Sequence, residues 1–247
     1  MLVARIDDLL SEALKLLPAK PGDEATATVK KAYSEKISQK VAIAIGEELR
    51  KRGLPEARPN GEGALGDSGA ERRMAGGLGA KKVDVTWATE ESGLLLAISV
   101  KTINFKDART GNYQKNLVNR RGDMLMEAVT LHRRFPYAVL AGFLFFDAGA
   151  AKDGTGRRRS TFANAHRRLR LFTGRDDPAG REEQFERFYV LLLDANPTSV
   201  KLEAFEVGSP DAPKPLDEIM TELLDLVAQR NPDFYELTPE GSLIRAT

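Results

Sequence analysis

The pattern of apolar and polar positions divides the chain into helices and strands. Apolar residues recur at helical spacing in some segments, and proline or glycine lies close to several of their ends. Other segments are short, β-branched or continuously apolar, which is typical of strands. The predicted helices are 2–17, about 26–52, about 113–133, 161–172 and 215–230, and the predicted strands are 83–87, 94–103, 137–146, 188–195 and 200–207.

Two of these strands are predicted to form a hairpin, because the turn-like sequence Glu91-Ser92-Gly93 separates them. The continuously apolar segment 137–146 is typical of a central strand that is covered on both faces. A helix is predicted between the hairpin and this strand. The order of elements favours an α/β fold.

Composition sets the class of protein. A chain of 247 residues with 42% hydrophobic and 30% charged residues suits one large globular domain. The absence of cysteine excludes disulfides and thiolate metal sites, and two histidines make a histidine-rich zinc site unexpected. Since no apolar run reaches the ~20 residues of a membrane span and no signal-peptide pattern is found, we expect no membrane association and a cytoplasmic location.

Charge is unevenly distributed along the chain. The whole sequence carries +1, but residues 101–134 carry +5, residues 152–181 carry +6 and residues 182–247 carry −9. A basic middle suggests a surface that faces a polyanion. The alternative is that arginine-rich helices present ordinary solvated faces.

Candidate chemistry lies at one end of the predicted hairpin. If the turn centres between Glu91 and Ser92, Asp84 lies opposite Ser99. Side chains alternate with a period of two, so Lys101 shares the face of Ser99 and Asp84. A carboxylate, a hydroxyl and an ammonium are therefore predicted to converge. An alternative interpretation is a structural ion pair at a strand end.

Asp84, followed one hairpin later by Ser99-Val100-Lys101, resembles the PD-(D/E)xK motif of restriction-endonuclease-like nucleases. Val83 stands where a proline is usual, and Ser99 stands where the second acidic residue is usual. The resemblance covers residues 40–147 and implies a mixed central β-sheet flanked by helices. It divides the single domain 1–247 into an N-terminal helix appendage (1–24), a catalytic core (25–147) containing a glycine-rich loop (53–80), and a C-terminal elaboration (148–247).

The resemblance also implies a metal site. Asp84 and the carbonyl of Val100 would bind Mg²⁺, which Mn²⁺ could replace, and Lys101 would orient or deprotonate the attacking water. Ser99 would offer a neutral oxygen. Glu48 is the candidate for the missing carboxylate, because it falls on the apolar stripe of the helix that precedes the hairpin. Alternatively, Glu48 pairs with a basic neighbour such as Arg52.

Residues suited to binding DNA occur in three places. The second half of the glycine-rich loop is basic, the helix at 113–133 begins with amide and basic side chains, and the helix at 161–172 carries adjacent arginines. Solvated surface positions remain the alternative. The candidates are Arg72, Arg73 and Lys82; Gln114, Lys115, Asn116, Asn119, Arg120 and Arg121; and Arg167 and Arg168.

Taken with the resemblance, the sequence predicts a Mg²⁺-dependent endonuclease of the restriction type that acts on double-stranded DNA. Such an enzyme defends a cell against foreign DNA. A homodimer is expected, because cleavage of both strands needs two active centres. Two alternatives stay open: a weakly active or inactive DNA-binding protein on the same fold, and a repair or RNA-directed nuclease.

Overall fold

The computed structural model describes residues 5–60 and 73–247, with side chains described from residue 74 onward in the second range. The helices are α1 (Arg5–Lys15), α2 (Ala27–Lys51), α3 (Gln114–His132), α4 (Thr161–Leu169) and α5 (Leu216–Arg230), and the strands are β1 (Arg73–Gly76), β2 (Gly79–Lys82), β3 (Val85–Thr89), β4 (Gly93–Ile103), β5 (Val139–Asp147), β6 (Arg187–Asp194), β7 (Lys201–Glu206), β8 (Tyr235–Leu237) and β9 (Leu243–Arg245). None of these helices is long and apolar enough to cross a lipid bilayer.

A five-stranded mixed sheet in the order β3-β4-β5-β6-β7 organises the fold. The hairpin partners β3 and β4 are antiparallel, β4, β5 and β6 run parallel, and β7 returns antiparallel to β6. Helix α3 connects the parallel strands β4 and β5, as such a crossover requires. The predicted α/β class and the mixed sheet flanked by helices are therefore confirmed.

Helices cover both faces of the sheet. Val85, Ile98 and Val100 point into one apolar cluster, which they share with α1, α2 and α5. Ala97 and Ile103 point into a second cluster, which they share with α3 and α4. Because side chains alternate along a strand, successive residues of β4 point to opposite faces of the sheet.

The structure differs from the predicted organisation at its ends. Helix α1, an appendage in the predicted division and otherwise expected to dock, to dimerise or to belong to the core, buries Ile6, Leu10 and Leu14 in the same cluster as α2 and α5. Strands β6 and β7 lie beyond residue 147, so the central sheet extends past the expected end of the core. The N-terminal helix and the C-terminal strands thus belong to the main body of the fold.

Part of the predicted glycine-rich loop is regular structure. β1 and β2 form a short antiparallel hairpin, and the backbone N–H of Gly77 donates to the carbonyl of Thr130 on α3. A Cβ at Gly76 would lie 2.3 Å from Thr130 Cγ2, so glycine permits this close approach. These glycines therefore hold a hairpin against α3.

Candidate active site

Asp84 lies immediately before β3 and faces the last third of β4. Val85 pairs with Ile98, so the next position along the hairpin brings Asp84 beside Ser99, as the sequence predicts. The backbone N–H of Val100 donates to Asp84 Oδ2 at 2.7 Å, and Lys101 Nζ donates to the same oxygen at 2.8 Å. The predicted convergence of Asp84 and Lys101 is confirmed.

A second carboxylate reaches this place from α3. Glu127 Oε2 lies 3.6 Å from Lys101 Nζ, so the ammonium stands between the carboxylates of Glu127 and Asp84. Gly142 on β5 leaves room for the side chains above it, because a Cβ there would lie 2.8 Å from the Phe188 ring and 3.0 Å from Met124 Cε, about one helical turn before Glu127. The carboxylate that Ser99 does not supply is therefore available from the crossover helix.

Burial and charge perturb both groups beside Asp84. Burial is the main reason that the pKa of Glu127 is raised above its ordinary value; Asp84 adds to the rise, while Lys101 and Ser99 oppose it. Burial also disfavours the ammonium of Lys101, but the carboxylates of Glu127 and Asp84 outweigh it and raise the pKa of Lys101. At neutral pH the Lys101 side chain is consequently a charged ammonium that donates hydrogen bonds.

Two polar atoms at the site lack a hydrogen-bond partner among the described residues. They are Ser99 Oγ and Glu127 Oε1, and both residues are only 2% exposed. A buried polar atom without a partner is costly to stability. Ser99 nevertheless lies close enough to Glu127 to favour its charged form, so a small rotation can pair these two atoms with each other, and a ligand is a second way to satisfy them.

Glu48 was expected in this site, and the structure places it elsewhere. Its carboxylate accepts hydrogen bonds from Arg5 Nε and Nη2 at 2.7 and 2.8 Å and from Arg52 Nε at 2.6 Å. The stated alternative, pairing with Arg52, is what the structure contains. The physical reason is that α2 covers the sheet face of Val100, whereas Lys101 and Asp84 are oriented towards α3.

A cleft of about 1210 Å³ opens beside Asp84 and Lys101. Its floor is the end of β4 and the segment that follows, its first wall is the N-terminal half of α2, and its second wall is the N-terminal half of α3. Pockets for small molecules are commonly ~300–1,000 Å³. The cleft is therefore large enough for part of a macromolecule.

Four of the predicted DNA-binding residues line this cleft, namely Lys82, Asn116, Asn119 and Arg120. The others lie in different surroundings. Gln114 begins α3, Lys115 pairs with Asp107 at 2.9 Å, and Arg121 lies over the ring of Phe172. Arg167 and Arg168 are exposed in the last turn of α4, Arg73 begins β1, and Arg72 lies outside the described residues.

Glu127 was not among the predicted site residues, although the sequence contains a signal for it. It falls on the apolar face of α3, between Met124 and Leu131. A carboxylate at such a position needs a partner or a metal. The same reasoning that selected Glu48 would have selected Glu127.

In the part of the chain that the structure describes, no three His, Cys, Asp or Glu side chains are grouped as a metal site. The candidate centre has two carboxylates, Asp84 and Glu127, together with the backbone carbonyl of Val100. No family model, curated protein or solved structure matches the chain significantly.

Proposed function

We propose that this protein is a Mg²⁺-dependent endodeoxyribonuclease with a restriction-endonuclease-like core. The observation that carries the proposal is that Asp84, Lys101 and Glu127 meet beside a large cleft. The motif that this chain resembles contains two acidic residues and a lysine. We assign Glu127 as the second acidic residue, because Ser99 stands at the usual position of that acid. Restriction of foreign DNA is the biological role that this resemblance favours.

The donor set fits a hard divalent cation. Asp84 and Glu127 would contribute carboxylate oxygens and Val100 its carbonyl oxygen, which is the ligand type that Mg²⁺ and Mn²⁺ prefer. Among the described residues Glu127 Oε1 accepts no well-formed hydrogen bond, so this oxygen is available for coordination. When bound, the cation would supply Lewis-acid activation of water and of the phosphate.

The charge of Lys101 supports one of the roles that the resemblance implies for it. Asp84 and Glu127 raise the pKa of Lys101, so this side chain is an ammonium in the protein without a bound cation. It can donate hydrogen bonds to the attacking water or to a phosphate oxygen, where negative charge develops. We therefore assign Lys101 to orientation and charge stabilisation.

The cleft walls suit a nucleic acid. Asn116, Asn119 and Arg120 on α3 present amide and guanidinium groups beside the candidate centre. Such groups bind phosphate oxygens and base edges. Double-stranded DNA is the proposed substrate, and a homodimer is proposed because cutting both strands requires two centres.

One observation favours a second candidate function, that of a DNA-binding protein without catalysis. Lys101 Nζ donates a hydrogen bond to Asp84 Oδ2 at 2.8 Å, which is also the arrangement of a structural ion pair. Such a protein would bind DNA without cutting it, with or without a divalent cation.

The test is a cleavage assay with supercoiled plasmid, linear duplex, single-stranded DNA and structured RNA, each with Mg²⁺, Mn²⁺ or EDTA. The proposal predicts metal-dependent nicking or cutting of duplex DNA. Binding without cleavage under every condition would favour the non-catalytic protein. Preference for RNA would keep the chemistry and replace the proposed substrate.

A further inference from the structure

A polar stripe runs along α2 on the side that faces the cleft. The residues that follow helical spacing and line the cleft are Lys30, Ser34 and Ser38 together with Lys31, Glu35 and Gln39. At 1.5 Å per residue, Lys30 and Ser38 are about 12 Å apart along the helix, which equals three to four nucleotide steps of ~3.4 Å. The apolar pattern of α2 predicts only its packing face and the position of Glu48.

This stripe is fixed relative to the candidate centre. Asn104 Nδ2 donates to Ser34 Oγ at 3.0 Å, and Thr102 Oγ1 donates to the backbone carbonyl of Ser34 at 3.5 Å. Thr102 directly follows Lys101 in the chain. A ligand held by α2 would therefore have a defined position relative to Asp84 and Lys101, which line the same cleft.

The charged members of the stripe differ in how available they are. Lys30 Nζ lies 5.5 Å from the ring centre of Phe105 and donates to the backbone carbonyl of Asp23. The Lys31 side chain is 77% exposed and lies 3.7 Å from Glu35, an exposed pair of the kind that contributes little. Lys31 can therefore exchange this contact for a phosphate at small cost.

We propose that the N-terminal half of α2 binds the phosphate backbone of one strand of duplex DNA, opposite the α3 wall. An exposed ammonium pairs with phosphate, and serine hydroxyls donate to phosphate oxygens without reading sequence. With α3 on the other side, the cleft would hold the duplex so that one phosphodiester lies over Asp84 and Lys101. This inference rests on the proposed function and adds the surface that positions the substrate.

The test compares Lys31→Glu with Lys36→Glu. Lys36 is exposed on the same helix but does not line the cleft, so it undergoes the same charge change outside the proposed surface. Affinity for a labelled duplex and for one of its single strands is measured in EDTA over a range of salt concentrations, with circular dichroism to check folding. Lys31→Glu should weaken binding about tenfold or more and lower the log–log salt slope by about 0.9, whereas Lys36→Glu should stay within about twofold of wild type.

Cleavage of plasmid by the wild type in Mg²⁺ is measured on the same preparation. It distinguishes an error in the assignment of α2 from an error in the proposed nuclease function. If the wild type cleaves DNA and the two variants bind equally well, the assignment of α2 is wrong while the proposed function stands. An effect of Lys31→Glu confined to single strands would overturn the duplex assignment. If the wild type neither binds nor cleaves DNA, both are wrong.

Discussion

Glu127→Gln and Glu48→Gln should have opposite consequences, although both replace a buried helix carboxylate by its nearly isosteric amide. Glu127 is 2% exposed and Glu48 is fully buried. Glu127 is assigned to the candidate active site, whereas Glu48 is assigned to a buried ion pair that stabilises the fold. The pair therefore tests whether the candidate centre has been identified correctly.

For Glu48 the expected effect is on stability. Its carboxylate accepts three hydrogen bonds from two arginines, and the Arg52 side chain is only 3% exposed. Removing one partner of a buried ion pair costs about 3–5 kcal/mol. Since glutamine keeps one oxygen acceptor and Arg5 is partly exposed, we expect about 3 kcal/mol, with unchanged cleavage per folded molecule.

For Glu127 the expected effect is on activity. Its Oε1 has no partner among the described residues, and its contact with Lys101 Nζ is 3.6 Å long. Because burial disfavours the charge of this carboxylate, neutralising it should leave the free energy of unfolding at neutral pH unchanged or raise it. Loss of even an outer-shell partner of a metal reduces function about 10–100-fold, so loss of a ligand should reduce cleavage by about 100-fold or more.

The assay is the rate of plasmid cleavage in Mg²⁺ together with urea unfolding of each variant. Glu127→Gln should be stable and inactive, and Glu48→Gln should be destabilised and active in its folded fraction. Equal losses of activity would refute the assignment, and so would an active Glu127→Gln variant.

Three further predictions concern charge. Because the pKa of Glu127 is raised, the folded protein keeps this proton to higher pH than the unfolded chain does. The free energy of unfolding of the wild type should therefore fall relative to that of Glu127→Gln as pH rises from about 4.5 through the folded-state pKa, by ~1.4 kcal/mol per pH unit in that window. A difference between the two proteins that does not change with pH would contradict this. Lys101→Met should abolish cleavage and leave Asp84 and Glu127 to repel each other, so its stability deficit should be larger at pH 8 than at pH 5 in urea titrations. Arg120→Ala should lower the log–log salt slope of duplex binding by about 0.9, and an unchanged slope would remove Arg120 from the interface.

Much of the fold could be predicted because local patterns were strong. Helical spacing identified α2 and α3, the turn around Ser92 identified the hairpin, and the continuous apolar run identified β5. Hairpin register then placed Asp84 beside Lys101 without any tertiary information. These predictions depend only on periods of 3.6 and 2.

The position of the second carboxylate could not be predicted in the same way. Periodicity shows that Glu48 and Glu127 each lie on the buried side of a helix, but not which face of the sheet that helix covers. The difference depends on long-range packing: α2 covers the face of Val100, and the crossover helix α3 covers the face of Ser99. The DNA-binding assignments stay predictions.

The short C-terminal strands were missed for a related reason. β8 and β9 have three residues each, too few for a period of two to be recognised. Their stabilising contacts are distant in sequence: the Tyr235 ring lies 5.1 Å from that of Trp87, and the N–H of Leu243 donates to the carbonyl of Arg52. Tertiary packing therefore determines this hairpin.

The most direct test of the central claim compares wild type and Asp84→Ala for conversion of supercoiled plasmid to nicked and linear forms, with Mg²⁺ and with EDTA. The account predicts that the wild type cleaves in Mg²⁺ and not in EDTA, and that folded Asp84→Ala cleaves in neither. Absence of cleavage by the wild type with any divalent cation would contradict it. So would cleavage that persists in EDTA and in the folded Asp84→Ala protein.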